Sequence, residues 1–363
     1  MKYENWFASI GTLGNRKKIQ LKEYMKTAKR LYYIEETRLK EIPFLTERER
    51  EGILFAKREY EVERNFEKLC QSKIRIIAWG DKEYPKRLLD ILDPPYAIYV
   101  KGQVPMETMP TAAIVGARRC TAYGEKYARE FGEILGKHGI QVISGLARGV
   151  DGSSHRGALF GNGKTFAVLG CGVDICYPRE HIGLYMDIIE RGGGILSELP
   201  PGSQPLPYHF PKRNRIISGL SDIVLVIEAR KKSGSLITAD LALEQGKDVY
   251  ALPGPIHSTL SQGCNHLIAQ GAGILLSPEF LLEELSISKG SIYTSSNENL
   301  HKNEKMLERN AKIVYSCVGF YPKSISQLME ETKYAPEELL DLLVSLELQG
   351  YIKEISKNYY IKV

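Results

Sequence analysis

The residues of this chain best suited to chemistry lie in four glycine-rich stretches, each placed after a short apolar run. They are Gly116-Ala117-Arg118-Arg119 after Ala112–Val115, Ser144-Gly145-Leu146-Ala147-Arg148-Gly149 after Ile140–Ile143, Gly170-Cys171-Gly172 after Phe166–Leu169, and Lys231-Lys232-Ser233-Gly234-Ser235 after Ile223–Ile227. In an open parallel sheet such loops meet at the carboxyl ends of the strands, where ligands bind. Glycine lets the backbone approach a ligand closely, and the amino end of a helix offers N–H groups to an anion. Three of the four loops add arginine or lysine, and guanidinium forks grip phosphate oxygens in pairs. The chemistry indicated is the holding of several phosphates in a row.

The candidate phosphate contacts are Gly116, Arg118, Ser144, Gly145, Arg148, Gly149, Lys232, Ser233, Gly234, Ser235 and Thr238, joined by a second cluster of Phe210, Lys212, Arg213, Asn214 and Arg215. Arg118 directly follows a strand and is expected to point into the crevice, with Arg215 as a second ligand; Arg119 and Arg230 are expected to be solvated. These cations, with Arg156 and Lys231, are expected in loops or first helical turns, outside the core, so that Arg118→Ala or Arg215→Ala would weaken binding and spare the fold. Tyr208 and Phe210 could stack on bases, which grips a strand with little sequence preference; burial of Phe210 beneath its loop is equally open. Few carboxylates share these segments, chiefly Asp151, Glu198 and Glu228. Asp151 suits the cap of a helix beginning near Gly152, and Glu198 suits the orienting of an arginine better than a base role.

Covalent or metal chemistry has little to stand on. The seven histidines form no Ser-His-Asp order and no HExxH motif. The six cysteines make no CxxC pair, which argues against zinc and for reduced thiols in the cytoplasm. No catalytic residue, metal or cofactor is expected.

What must position the loops follows from the rest of the chain. At 363 residues it exceeds one ordinary domain, and a net charge of +5 is too mild by itself to identify a nucleic-acid partner. Residues 1–72 read as a small, heavily charged helical domain. Its turn Gly11-Thr12-Leu13-Gly14, followed by Lys17 and Lys18, suits a helix-hairpin-helix phosphate contact, a dimer contact or plain packing. Residues 73–286 alternate strand and helix, with strands near 112, 140, 166, 194, 223, 248 and 273, which means α/β with a mostly parallel sheet. Residues 287–305 are a polar linker, and 306–363 read as three helices and a two-stranded wing, a winged helix. Its recognition helix Pro336–Gln349 carries Glu337, Glu338, Asp341 and Glu347 but no lysine or arginine, so contact with protein is expected before contact with duplex. No signal peptide and no apolar run of membrane-spanning length is apparent, so no membrane association is expected.

Five motifs in order carry a family resemblance: Ala113–Arg119, Val142–Asp151, Phe210–Ile217, Ser233–Ala239 and Val249–Gly254. Together they resemble the DprA/Smf family of DNA-processing proteins over essentially the whole chain. The resemblance implies an extended Rossmann domain, a small SAM-like or helix-hairpin-helix-like amino-terminal domain and a carboxy-terminal winged helix. It also implies binding of single-stranded DNA, homodimers, and delivery of the strand to the RecA recombinase during natural transformation. The Rossmann variant is similar as well to nucleoside-monophosphate phosphoribohydrolases of the LOG type, and a nucleotide-sensing protein is a related alternative. Those hydrolases carry a PGGxGTxxE loop, where this chain has Arg230–Ala239 and no such string. A GxGxxG dinucleotide fingerprint is absent from the first strand–helix turn.

Overall fold

A computed structural model describes residues 1–288, 309–318, 323–349, 351–356 and 358–362. Its contacts divide the chain into two units, 1–288 and 289–363. The first unit opens with six helices: α1 Lys2–Ser9, α2 Asn15–Met25, α3 Ala28–Tyr32, α4 Glu36–Lys40, α5 Glu47–Glu59 and α6 Val62–Gln71. Trp6, Phe7, Leu21, Leu39 and Ile53 are fully buried among them. A capping box between Thr46 and Glu49 starts α5 by satisfying amides that the helix cannot.

The α/β part then follows: β1 Arg75–Ala78, β2 Ala97–Gly102, β3 Thr111–Val115, α7 Ala122–Lys137, β4 Gln141–Ser144, α8 Val150–Phe160, β5 Thr165–Val168, α9 Ile182–Glu190, β6 Gly194–Ser197, α10 His209–Gly219, β7 Ile223–Val226, α11 Gly234–Glu244, β8 Asp248–Ala251, α12 Gln262–Ala269, β9 Gly273–Ile274 and α13 Pro278–Ser288. The strands form one nine-stranded sheet in the order β1-β2-β6-β5-β4-β3-β7-β8-β9. From β6 to β9 every pairing is parallel, while β1 and β2 close one edge antiparallel. Every residue of β3 to β7 is buried, as apolar strands covered on both faces by helices must be. The order of strands reverses between β3 and β7, so the crevice of this sheet opens over their carboxyl ends. All seven expected strands are present as β3 to β9.

The amino-terminal helices share one hydrophobic core with β1, β2 and the neighbouring strands. Phe7 meets Tyr96 edge-on at 4.8 Å, and Tyr99 OH donates to Asn5 Oδ1 at 2.9 Å. The start of α2 is bound into the α/β part, not free for a ligand. Asn15 Nδ2 donates to Glu198 at 3.2 Å, and both Nε and Nη2 of Arg16 donate to the Leu92 carbonyl. Lys17 donates to the Phe44 carbonyl at 2.6 Å, while Lys18 is buried against the Ala8 carbonyl. Burial pulls the Lys18 ammonium down to about 8. Of the readings open for this basic turn, these contacts favour plain packing, with both lysine ammonium groups engaged by backbone carbonyls.

In the second unit, helices Arg309–Cys317, Ile325–Thr332 and Pro336–Leu348 pack on a three-stranded sheet of order β10-β12-β11, with β10 Lys323–Ser324, β11 Ile352–Ser356 and β12 Tyr359–Lys362. Leu328, Leu339, Leu343 and Leu346 fill its core. Glu337, Glu338 and Asp341 remain exposed on the last helix. Residues 287 and 288 of the expected linker end α13, and its remainder lies outside the described residues. No helix among the described residues is long and apolar enough to cross a membrane.

Candidate nucleic-acid interface

The loops after β3 and β7 and the amino ends of α10 and α11 surround a cavity of about 610 Å³ at the switch point. Its cationic lining is Arg118, Arg119, Arg213, Arg230 and Lys232, with Ser233, Gly234, Ser235 and Thr238 from the start of α11. Gly116, Phe210 and Asn214 line it too. Arg118, Arg119, Arg230, Lys231 and Lys232 are all solvent-exposed. The cations thus gather on one rim, where the first turn of α11 adds its amides.

The three carboxylates of these segments are each engaged inward. Asp151 sits in the first turn of α8 and accepts from the Gly145 amide at 3.1 Å and, at 3.4 Å, from that of Ala147. It pins the β4–α8 loop instead of capping a helix, and Gly149 is the N-cap residue; the expected capping role is corrected. Glu228 accepts from the Thr121 amide at 2.8 Å and from its hydroxyl at 2.6 Å, joining the β7 and β3 loops at the switch point. Glu198 holds Arg215 through two hydrogen bonds of 2.9 and 2.6 Å, the orienting role expected of it.

Several expected phosphate contacts turn out to be structural. Ser144 is buried and its hydroxyl donates to the Ile114 carbonyl at 2.6 Å. The Gly145 amide is taken by Asp151. Arg213 forms part of the floor, almost wholly buried, and donates to the Gly145 carbonyl at 3.1 Å and to that of Val168. Gly145 must be glycine for this, because a Cβ there would fall 2.5 Å from the Arg213 guanidinium. Burial lowers Arg213 to about 10, against the pull of Asp151, and raises the carboxyl of Asp151 against the pull of Arg213. Asn214 Nδ2 donates to the Gly234 carbonyl at 3.1 Å, tying α10 to α11. Arg215 lies in the second turn of α10, 8% exposed, with its fork closed by Glu198 and its Nε on the Asp93 carbonyl at 2.8 Å. As phosphate ligands Ser144, Gly145, Arg213 and Arg215 are corrected: helix and loop geometry turns their polar atoms inward. Arg148 is paired with Glu180. Lys212 is exposed on α10, while Arg156, expected near a helix start, lies midway along α8.

Phe210 is half-buried. Arg118 lies over its ring at 5.0 Å, and Tyr177 tilts against it at 5.7 Å. Tyr177 is 45% exposed and borders the cations, and Tyr208, at the N-cap of α10, is 66% exposed. Tyr177, Pro205 and Pro207 also line the cavity, and the sequence reading missed them. For the two prolines the spacing from Pro200 to Pro211 was the available signal, since such a stretch suits a surface loop; Tyr177 lies outside it. Among the described residues no three His, Cys, Asp or Glu side chains gather as for a metal.

Gly149 has φ 70° and ψ −125°, and a Cβ there would lie 2.4 Å from the Ala117 carbonyl oxygen. This close approach seats the β4–α8 loop against the β3 loop. Gly149→Ala is expected to lower stability by about 1–3 kcal/mol. Gly234→Ala, whose Cβ would meet nothing within 4 Å, should stay within about 0.5 kcal/mol of the parent. Urea unfolding of the two variants checks the contrast.

Comparison with known proteins agrees with this architecture. A family model described as DNA recombination-mediator protein A matches residues 75–286, and a DprA winged helix domain model matches residues 301–356. The chain is 39% identical to Protein Smf of Escherichia coli strain K12 over 299 residues, covering 80% of this chain and 78% of that one. It is 44% identical to DNA processing protein DprA of Streptococcus pneumoniae over 204 residues, 56% of this chain and 72% of that one. The X-ray structure of Streptococcus pneumoniae DprA superposes with a TM-score of 0.68 at 34% identity, covering 78% of this chain and 98% of that one. DNA processing protein A from Helicobacter pylori, whose structure was described for its single-stranded DNA binding mode, gives a TM-score of 0.54 at 29% identity, covering 60% of this chain and 97% of that one. With both family models matched in the order of the two units and a relative this similar over four-fifths of its length, the chain belongs to the DprA/Smf family of DNA recombination-mediator proteins.

Proposed function

We propose that this chain binds single-stranded DNA with little sequence preference, laying phosphates along the rim of the β3–β7 crevice and bases against Tyr177, Phe210 and Tyr208. The observation that carries this reading is the charge asymmetry of the crevice. Arg118, Arg119, Arg230 and Lys232 are exposed around it, whereas Asp151, Glu198 and Glu228 are each hydrogen-bonded inward. A polyanion gains counterion release there without meeting a free carboxylate from these segments. The relative from Helicobacter pylori supports the choice of single strand. Membership of the family supports a homodimer that protects incoming DNA in the cytoplasm and delivers it to RecA during transformation.

Fluorescence anisotropy with labelled single- and double-stranded oligonucleotides across a salt series tests the reading. Single-strand binding that weakens with salt is expected, and equal or tighter duplex binding would reject it. RecA filament assembly on the same strand, with and without the protein, tests delivery. Incubation with AMP tests the hydrolase alternative, and no free base is expected. The domain at 306–363 is assigned a protein-contact role by its acidic last helix. Deleting residues from 300 onward is expected to change strand affinity by less than about twofold; a tenfold loss in the same assay would reject that assignment.

A further inference from the structure

Arg148, in the β4–α8 loop, meets Glu180, in the segment leading into α9. Arg148 Nε reaches Glu180 Oε1 at 2.6 Å and Nη2 reaches Oε2 at 2.7 Å, a closed two-bond fork. The side chains are 59% and 52% exposed, unlike the buried pair of Arg215 and Glu198. The fork adjoins the crevice through its chain neighbours, although neither of its own residues lines the cavity. Ala147, next to Arg148, and Tyr177, three residues before Glu180, both line the cavity, and Gly149 abuts the backbone of Ala117 and Arg118. Glu180 therefore fills the geometry that a phosphate diester would take on this arginine.

Exposure decides what such a pair can do. An exposed ion pair is weak, so a phosphate held nearby by other contacts can replace the carboxylate at small cost. A strand already seated on Arg118 and Lys232 presents its next phosphate at high effective concentration, which a free phosphate lacks. We propose that Glu180 is a built-in competitor that keeps Arg148 closed until a tethered phosphate displaces it, and so limits how tightly a strand is held beside the crevice. This inference rests on the reading of the crevice as a single-strand site.

The test is a double-mutant cycle on the full chain: the parent, Glu180→Gln, Arg148→Ala and the double variant, each titrated into labelled oligothymidylate across a salt series. Glu180→Gln should tighten binding about two- to fivefold, the reach of an exposed pair. It should also steepen the salt dependence by about 0.7, one further phosphate contact on a single strand. In the Arg148→Ala background the same substitution should lose most of that gain, because the arginine it releases is gone. No gain in Glu180→Gln, or an equal gain in both backgrounds, overturns the proposal, the second result meaning a general charge effect. If the parent itself fails to bind the strand, the crevice reading falls and takes this inference with it. If the parent binds and Glu180→Gln does not improve it, this inference alone falls.

Discussion

Arg118→Ala is expected to weaken single-strand binding by about ten- to a hundredfold, the size of a lost charged hydrogen bond. The salt dependence should become shallower by about 0.7, since one phosphate contact fewer releases fewer counterions. Stability should hardly change. The Arg118 side chain is exposed, and its contact with the Phe210 ring at 5.0 Å is a cation–π pair worth about 0.5–1 kcal/mol at such a site. Removing it even relieves Arg213, whose guanidinium the Arg118 charge helps push down. Arg118→Lys separates charge from geometry. A lysine keeps the point charge, so the salt slope should persist, while the lost two-bond fork should leave affinity between parent and alanine variant. Anisotropy over a salt series reads both quantities, with thermal unfolding as the control. Parent-like affinity and slope in Arg118→Ala would remove this residue from the site.

The same comparison shows what kind of information a sequence carries about such a site. The strands were legible because short apolar runs such as Ala112–Val115 and Ile223–Val226 alternate with helical stretches, the pattern of a parallel sheet covered on both faces. The crevice was legible because the glycines and cations follow those strands directly, at the edge where loops converge. Which cations are open to solvent was not legible. Arg118 and Arg215 look alike as letters, yet one is exposed and the other is closed by Glu198, 17 residues before it, and braced by Asp93, 122 residues before it. Helical geometry supplied half the answer: α10 begins at His209, so Arg213 and Arg215 both fall in its second turn and not in a loop, Arg213 reaching the Gly145 and Val168 carbonyls and Arg215 reaching Glu198. Pairing partners supplied the rest, and these depend on folded contacts such as Asn15 to Glu198, spanning 183 residues.

Arg215→Ala, by contrast with Arg118→Ala, is expected to be chiefly a stability variant, costing about 3–5 kcal/mol, as removal of one partner from a buried pair does. It would strand Glu198, whose side chain is 10% exposed, and release the Asp93 loop. Because Glu198 also accepts from Asn15, the docking of α2 on the α/β part should loosen with it, which limited proteolysis of the amino-terminal helices would show. Replacing both partners, Arg215→Leu with Glu198→Leu, should cost less than Arg215→Ala alone, since no uncompensated charge remains. The pair also sets a pH dependence. Burial alone would push the Glu198 carboxyl up, but the Arg215 hydrogen bonds and charge prevail and hold it below the ordinary carboxylate range. A depressed folded value means that the contribution is complete above the unfolded value of about 4.3 and is lost as pH falls through the lower folded value. Urea midpoints of the parent should therefore drop more steeply in acid than those of the double leucine variant. Equal acid sensitivity of the two would show that another carboxylate governs this limb. A parent-like midpoint for Arg215→Ala would mean the buried fork contributes nothing to the fold, returning Arg215 to the list of strand contacts.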